Sequence, residues 1–309
     1  MKKILIFVFI LCGLAFLSAP VLSEVSFVDA SGDTVALSCA PENTAVLFSS
    51  FAEVWNLSGG ETRITVYEAV ERGFAGEDAV LVDMGAGKSI DLEMLIEARP
   101  DFVITSIDIP AQRKAAEFLK SAGIPTAEMR VESIEDYVNM LKVFTDITGN
   151  AEAYRVYGEE VYEKAEDIRL KANENKGETP KILFIRSGSS VTSAKAKNAK
   201  QHFAAKMLEE LGAYNIADNA KVLLDGLSFE EILIEDPDYI FISTMGDEEK
   251  AIEYMESVLS ESTWQALSCI KNRDYMYLPK DLFQYKPNHR WAEAYEIMYN
   301  ALYFEDDEA

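Results

Sequence analysis

The chain has 309 residues, a formal net charge of −24 and an apolar fraction of 49%. This length predicts about two domains, and this apolar fraction is typical of an ordinary globular protein. A surface so negative repels nucleic acid and anionic lipid, which excludes both as binding partners. With only two His and three Cys residues in the sequence, we do not expect a zinc site built by the protein.

The first 23 residues have the pattern of a secretory signal peptide. Lys2 and Lys3 precede an apolar run at 4–17, which is too short to span a bilayer comfortably, and cleavage is expected near Ser23. Cys12 lacks the small residue that precedes a bacterial lipoprotein cysteine, so a lipid anchor is not expected. The alternative is an uncleaved membrane anchor. We therefore expect the protein in the periplasm or outside the cell.

Strands and helices are predicted to alternate along the rest of the chain. The predicted strands are 25–28, 34–37, 44–48, 80–82, 102–105, 181–185, 239–242 and 275–278. The predicted helices are 51–57, one capped by Asp91, 110–122, 133–148, 202–211, 229–234, 247–259 and 290–304, and residues 186–200 are predicted to form a loop. Buried strands that alternate with helices indicate parallel sheets covered on both faces.

Residues 150–176 are predicted to form one long, rigid amphipathic α-helix between Gly149 and Gly177. Proline does not occur in this stretch, and its apolar residues recur at three- and four-residue steps. Those residues are Tyr154, Tyr157, Val161, Ile168 and Ala172. At 1.5 Å rise per residue, such a helix would be roughly 40 Å long, about the width of a small domain.

The segment 91–106 aligns without a gap on the segment 228–243. The matched residues are Glu93 with Glu230, Pro100 with Pro237, Asp101 with Asp238, and Ser106 with Ser243. Both segments read as a capped helix, a Pro-Asp turn and a buried strand. The sequence therefore predicts two similar three-layer α/β lobes with mainly parallel sheets, at 24–149 and 177–309. Cys39 and Cys269 would then fall in different lobes, which argues against a disulfide between them.

In this arrangement the chain resembles the single-helix-linked substrate-binding proteins of ABC importers, which take ferric siderophores, haem or cobalamin. The matching stretches are 44–55, 91–105, 122–125, 211–217 and 264–279. The resemblance implies a monomeric carrier without enzymatic activity, built-in cofactor or metal. Its partners would be a small metal chelate and a membrane permease with its ATPase. It also implies that Glu93 and Glu230 pair with arginines of the permease.

Ligand sites in such folds lie outside the carboxyl ends of the strands, between the lobes. Two segments, 186–200 and 283–291, concentrate cations and aromatic residues in a chain that is otherwise acidic. We expect the cations to receive carboxylates of an anionic chelate, and the aromatic rings to supply a flat apolar surface. The predicted ligand-binding residues are Ser50, Phe51, Arg186, Lys195, Lys197, Tyr285, Lys286, Arg290 and Trp291.

Other interpretations stay open at this point. His289, Tyr285 or Tyr277 could ligate haem iron, although His289 also fits a surface or capping position. A secreted metal-chelate sensor or storage protein is an alternative function. A secreted α/β hydrolase is a further alternative, but the sequence lacks Gly-x-Ser-x-Gly and neither His202 nor His289 has an evident nucleophile partner.

Overall fold

The computed structural model describes residues 24–83, 89–175, 177–188, 193–224 and 226–304. Its strands are β1 (Val25–Val28), β2 (Thr34–Leu37), β3 (Thr44–Val46), β4 (Ile64–Thr65), β5 (Val80–Leu81), β6 (Phe102–Ser106), β7 (Thr126–Met129), β8 (Lys181–Ser187), β9 (Ala194–Ala196), β10 (Tyr214–Asn215), β11 (Tyr239–Thr244) and β12 (Tyr275–Leu278). The predicted signal peptide and residues 84–88 lie outside the described residues.

The helices alternate with these strands. They are α1 (Ser49–Leu57), α2 (Tyr67–Glu71), α3 (Leu92–Glu97), α4 (Pro110–Ser121), α5 (Ile134–Thr148), α6 (Ala151–Tyr154), α7 (Glu160–Glu174), α8 (Phe203–Glu210), α9 (Phe229–Glu235), α10 (Glu248–Leu259), α11 (Ser268–Asn272), α12 (Lys280–Phe283) and α13 (Trp291–Tyr303). Within the described ranges, no helix is both long and apolar enough to cross a membrane.

Two parallel sheets form the framework. The first has the strand order β5-β4-β3-β6-β7. The second has the order β10-β8-β11-β12, with β9 added antiparallel to β8. A separate antiparallel pair, β1 and β2, precedes them. The predicted fold class, two α/β lobes with mainly parallel sheets, is confirmed.

Both faces of each sheet are covered by apolar side chains. Successive residues of a strand point to opposite faces, so neighbouring residues belong to different apolar clusters. In β6, Ile104 packs with the residues of α1 and α5, whereas Val103 packs with Leu95 of α3 and Leu119 of α4. The second sheet has the same division. Phe241 of β11 belongs to the apolar cluster that contains Ile104, so one core runs between the lobes beneath the linking helices.

The repeated segments have the same local structure. Asp101 and Asp238 each open a central strand, and each carboxylate accepts backbone N–H groups at the start of the neighbouring strand. Asp101 accepts from Glu42 at 2.6 Å and Asn43 at 3.0 Å, and Asp238 accepts from Lys181 at 2.8 Å. The residues two positions before them, Arg99 and Asp236, both have left-handed backbones, with φ of 52° and 42°. The internal repeat is therefore structural as well as sequential.

Only one of the two predicted helix caps forms. The Asp91 side chain accepts hydrogen bonds from the backbone N–H groups of Glu93 and Met94, both at 3.0 Å. Ser228, the repeat-related residue, makes no side-chain capping bond. The prediction of a capped helix in both copies is therefore wrong for the second copy.

The prediction of a single regular α-helix over 150–176 is not confirmed. Residues from Ala151 to Glu174 are helical, but a π-helical turn at Arg155–Glu159 separates α6 from α7. The hydroxyl of Tyr137 in α5 donates to the carbonyl of Tyr157 at 2.7 Å. Gly158 is buried there, and a Cβ atom at this position would press on Leu141 and Tyr154 at 3.2–3.3 Å. Close packing against α5 thus accompanies the irregular turn.

Several short elements were not predicted, chiefly because they contain too few residues to show a period. They include β4, β7, β10, α2, α11 and α12. The predicted loop at 186–200 is partly wrong, since β8 continues through Ser187 and Ala194–Ala196 forms β9. Cys39 is exposed, Cys269 is buried, and neither forms a disulfide.

Candidate functional site between the lobes

The carboxyl end of β8 brings the predicted cations together. Arg186 lies directly opposite Lys195 in the antiparallel pairing of β8 with β9, and Lys197 follows β9. Gly188, just beyond β8, has a φ of +92°, and a Cβ atom there would collide with the carbonyl oxygen of Met245. Glycine is therefore required where the loops after β8 and β11 cross. We call Arg186, Lys195, Lys197 and Lys286 the basic cluster.

His202 lies beneath the basic cluster and is neutral. The side chain is buried, and its ring lies against Phe184 and Phe203, with both centroid distances 4.9 Å. Its Nδ1 accepts from the N–H of Ala204 at 3.2 Å, which caps α8. Burial lowers the pKa of His202 well below its ordinary value, and the nearby charges of Arg186, Lys286 and Lys197 lower it further. The imidazole adds no positive charge to the cluster.

The cations of the cluster have few counter-ions among the described residues. Burial lowers the pKa of Arg186, and Glu132 is the acidic group that opposes this shift. Burial, followed by the charges of Arg186 and Lys195, lowers the pKa of Lys197. The Nε of Arg186 is buried and has no hydrogen-bond partner in the described parts of the chain. Leaving a buried donor unpaired costs about 1–3 kcal/mol of stability, and an anion that accepted a hydrogen bond from Arg186 Nε would remove this cost.

Lys286 connects the basic cluster to the first lobe. Its Nζ donates to Oε1 of Glu132 at 2.8 Å and lies 4.6 Å from the ring centroid of Phe203. Its backbone N–H lies 3.4 Å from the hydroxyl of Ser50. Two of the predicted residues, Ser50 and Lys286, thus meet where the lobes come together.

The residues that follow Lys286 bind the amino end of α1. Asn288 has a left-handed backbone with φ of 53°, and its Nδ2 donates to the carbonyl of Ser50 at 2.8 Å and to Glu53 Oε2 at 2.9 Å. His289 Nδ1 lies 3.1 Å from Oε1 of the same carboxylate, and its ring meets Tyr157 edge to face at 6.0 Å. Glu53 thus accepts from Asn288 and lies beside His289, two consecutive residues of the other lobe.

Arg72 is a central cation that the sequence reasoning missed. It donates to the hydroxyls of Ser49 at 2.9 Å and Ser50 at 3.2 Å. Its guanidinium lies between two rings, 4.7 Å from the centroid of Phe74 and 3.8 Å from that of Tyr285. Burial lowers its pKa, although Glu53 and Glu68 oppose the shift. Tyr285 therefore contacts the first lobe through a cation–π interaction.

Three predicted ligand-binding residues are buried in the core or already paired. Phe51 is 1% exposed and Trp291 is 0% exposed, since both pack in the core, so neither ring offers the predicted flat open surface. Phe203 meets Trp291 at a centroid distance of 5.6 Å. Arg290 forms ion pairs with Asp281 and with Glu293, the latter at 2.6 Å. Its charge is already neutralised.

The residues considered as haem ligands contact other side chains of the protein. Tyr277 donates to Glu256 at 2.8 Å, and burial together with this bond raises the pKa of its hydroxyl. His289 faces Glu53, as described above. The ring of Tyr285, the third residue considered, lies 3.8 Å from the guanidinium of Arg72.

Two other features of the first lobe do not fit the predicted site. A cavity of about 810 Å³ lies near the amino ends of β3, β4 and β5, with Asn43, Arg63 and Val80 in its lining. Ligands of parallel sheets bind at the opposite, carboxyl ends. Elsewhere, Asp29, Asp33 and Glu128 are close enough to share a metal ion. The ammonium of Lys120 occupies that position, at 3.1, 2.7 and 3.0 Å from them.

The two predicted docking residues occupy matching surface positions. Glu93 lies in the first turn of α3 and Glu230 in the first turn of α9, and both are exposed. Neither forms an ion pair with another described residue of the chain. Their carboxylates are therefore open to a partner.

Comparison with known proteins identifies similar folds. A family model described as periplasmic binding protein matches residues 45–282. No curated protein matches the chain. The periplasmic vitamin B12 binding protein BtuF of Vibrio cholerae is 18% identical, with a TM-score of 0.68 over 85% of this chain and 97% of that chain.

Two further solved structures have the same fold. Staphylococcus aureus SirA complexed with staphyloferrin B is 16% identical, with a TM-score of 0.65 over 90% of this chain and 97% of that one. The periplasmic heme-binding protein RhuT from Roseiflexus sp. RS-1 is 16% identical, with a TM-score of 0.66 over 85% and 98%. These three proteins bind their compounds as ligands, and at such low identity the likeness establishes the fold alone.

Proposed function

The chain belongs to the periplasmic binding protein family, and from this membership we propose that it captures an anionic metal chelate between its lobes for an ABC importer. The family consists of extracytoplasmic binding proteins rather than enzymes. We further propose cleavage near Ser23, lobes at 24–149 and 177–309 with 150–176 between them, and a monomeric protein. The partners would be the membrane permease and its ATPase.

The observation that carries this proposal is the basic cluster. Arg186, Lys197 and Lys286 surround a neutral histidine in a chain whose net charge is −24. A protein this acidic repels anions in general, so a local excess of positive charge with an unpaired Arg186 Nε supports a specific anionic ligand.

The chemistry of the cluster favours carboxylate-bearing ligands. Ferric carboxylate siderophores and the propionates of haem can each accept several charge-assisted hydrogen bonds, and arginine binds carboxylates through two parallel bonds. The corrin of cobalamin carries mostly amides and would use the cluster less. We therefore rank a ferric siderophore or haem above cobalamin as the ligand.

The test compares Arg186→Ala with Arg290→Ala. Calorimetric titrations with ferric staphyloferrin-type chelates, haem and cobalamin would identify the preferred ligand of the wild type. Each charge-assisted hydrogen bond contributes roughly 1.5–3 kcal/mol, so Arg186→Ala should weaken binding about tenfold to a hundredfold. Because Arg290 is already paired with Asp281 and Glu293, its variant should bind within about threefold of wild type.

Three results would contradict the proposal. Binding by Arg186→Ala that equals wild-type binding would remove the basic cluster from the site. Failure of the wild type to bind any of the metal chelates would remove the proposed ligand class altogether. A loss of affinity confined to Arg290→Ala would restore the sequence-based role of Arg290 at the expense of the cluster.

A further inference from the structure

The two repeat-related surface helices expose apolar side chains. On α3, Met94 is 44% and Ile96 is 41% exposed, and on α9, Leu233 is 49% and Ile234 is 74% exposed. Each helix is anchored by one fully buried residue, Leu95 in the first and Ile232 in the second. These four apolar residues are much more exposed than the buried residue that anchors each helix.

These apolar residues share a face with the exposed glutamates. Residues three apart on a helix are neighbours on its surface. Ile96 is three residues after Glu93, and Leu233 is three residues after Glu230. Single exposed apolar residues are common and need no explanation. Here the same acidic and apolar pair occurs at both matching positions of the internal repeat, which a random surface does not produce.

The charge around these residues selects the occupant. Glu97, Glu231 and Glu235 lie on the same two helices, so a partner must carry apolar contacts bordered by positive charge. Anionic lipid would be repelled. A second copy of the chain would place glutamate against glutamate at each contact, and like charges across an interface cost several kcal/mol. A protein surface with two apolar depressions, each bordered by positively charged side chains, meets these requirements.

We propose that Ile96 and Leu233, together with Ile234, form apolar docking contacts that insert into the extracytoplasmic face of the membrane permease, beside the arginines that Glu93 and Glu230 meet. This inference rests on the proposed function. The glutamates would guide approach and orientation, while the apolar residues would provide the part of the affinity that salt does not screen.

The test measures saturable binding of biosynthetically radiolabelled protein to right-side-out membrane vesicles of the source organism. Four proteins are compared: wild type, Ile96→Ser/Leu233→Ser, Glu93→Gln/Glu230→Gln, and Leu170→Ser. Leu170 is 58% exposed on α7 and serves as the matched control. Circular dichroism melts verify that each variant is folded. Titrations are made at about 0.05 M and about 0.5 M salt, because screening separates charge from apolar contact.

We expect Ile96→Ser/Leu233→Ser to bind about tenfold more weakly at both salt concentrations, since two partly exposed apolar side chains lose their burial. Glu93→Gln/Glu230→Gln should weaken binding at low salt and remove most of the salt dependence. Leu170→Ser should match wild type. Chelate affinity should be unchanged in all four proteins.

Three outcomes would overturn the inference. If Ile96→Ser/Leu233→Ser binds the vesicles like wild type, the apolar contacts are absent, although the proposed function survives. If sedimentation shows a wild-type dimer that this variant abolishes, the occupant is a second copy. If wild type shows no saturable vesicle binding while it still binds a chelate, delivery to a permease fails as well.

Discussion

The carboxyl ends of the two sheets carry different chemistry on the same frame. The first lobe contributes hydroxyls and acids, with Ser50 and Glu53 at the start of α1 and Glu132 after β7, and also the cation Arg72, which donates to Ser50. The second lobe contributes cations, among them Arg186 at the end of β8. The parallel pairing of β3 with β6 nevertheless matches that of β8 with β11, and an Asp directly precedes both β6 and β11. The repeat thus fixes the geometry, while the side chains beyond the strand ends determine what each lobe can bind.

The largest expected effect tests whether the two lobes share one core. Phe241 of β11 and its repeat partner Ile104 of β6 are both 0% exposed and belong to one apolar cluster. Phe241→Ala should lower the free energy of unfolding by about 3–5 kcal/mol, and Ile104→Ala by about 2–5 kcal/mol. Because the cluster is continuous, each variant should unfold in one transition. Urea denaturation followed by far-UV circular dichroism and by tryptophan fluorescence measures both effects; separate transitions, with only one shifted, would contradict a shared core.

A smaller effect should distinguish the lobes by their response to pH. Both histidines of the chain lie in the second half, and residues 24–149 contain none. Burial depresses the pKa of His202 in the folded state, so the unfolded chain takes up a proton that the folded chain does not. Stability is therefore complete above the unfolded pKa of about 6.5 and falls below it, by at most about 1.4 kcal/mol per pH unit.

His202→Gln provides the matched control for this slope. Its amide oxygen can still accept from the N–H of Ala204, but it does not titrate. Urea midpoints measured between about pH 7.5 and pH 5 should fall as the pH falls in the wild type and change less in the variant, which keeps only His289 as a histidine. Equal slopes in the two proteins would show that His202 is already accessible to protons in the folded state.

The smallest effect contrasts the two helix caps. Asp91→Ala removes two hydrogen bonds to the amino end of α3 and should cost about 1 kcal/mol of stability. Ser228→Ala removes no such bond and should change stability by less than about 0.5 kcal/mol. Thermal melts of both variants give the comparison. Equal losses would mean that Ser228 caps its helix in solution after all.

The fold was largely predictable because the sequence patterns that indicate its strands and turns are local. Buried strands of five or more residues, such as β6 and β11, and the aspartates that precede them stand out in the sequence. The resemblance to substrate-binding proteins is confirmed by the family match. The two-residue strands β4 and β10 carry no period that could identify them. The π-helical turn was also hidden, since the residues around Gly158 keep ordinary helical spacing.

The site was less predictable because the side-chain direction and pairing depend on distant residues. The local concentration of cations in the sequence identified candidate binding residues, but it did not indicate which of them would form ion pairs within the protein. These residues are Arg186, Lys195, Lys197 and Lys286. Phe51 and Trp291 have the aromatic rings expected of a binding surface, but the fold turns both into the core. Arg72 stands at the end of an unpredicted helix, and its contact with Tyr285 joins residues more than two hundred positions apart. The Arg72 side chain could have been suspected only from its isolation in an acidic stretch.

The π-helical turn at Arg155–Glu159 sets the rotational phase between the two halves of the protein. A π turn contains one residue more than an α turn, so the residues beyond it are rotated by about 100° relative to a regular helix. Before the turn the helix packs on α5, and beyond it α7 packs on α13. A regular α-helix with the same number of residues would instead turn the second lobe by about a quarter of a revolution, which is incompatible with the contact between Lys286 and Glu132. The π turn therefore takes up one residue of the linking helix and keeps the two sides of the site in register.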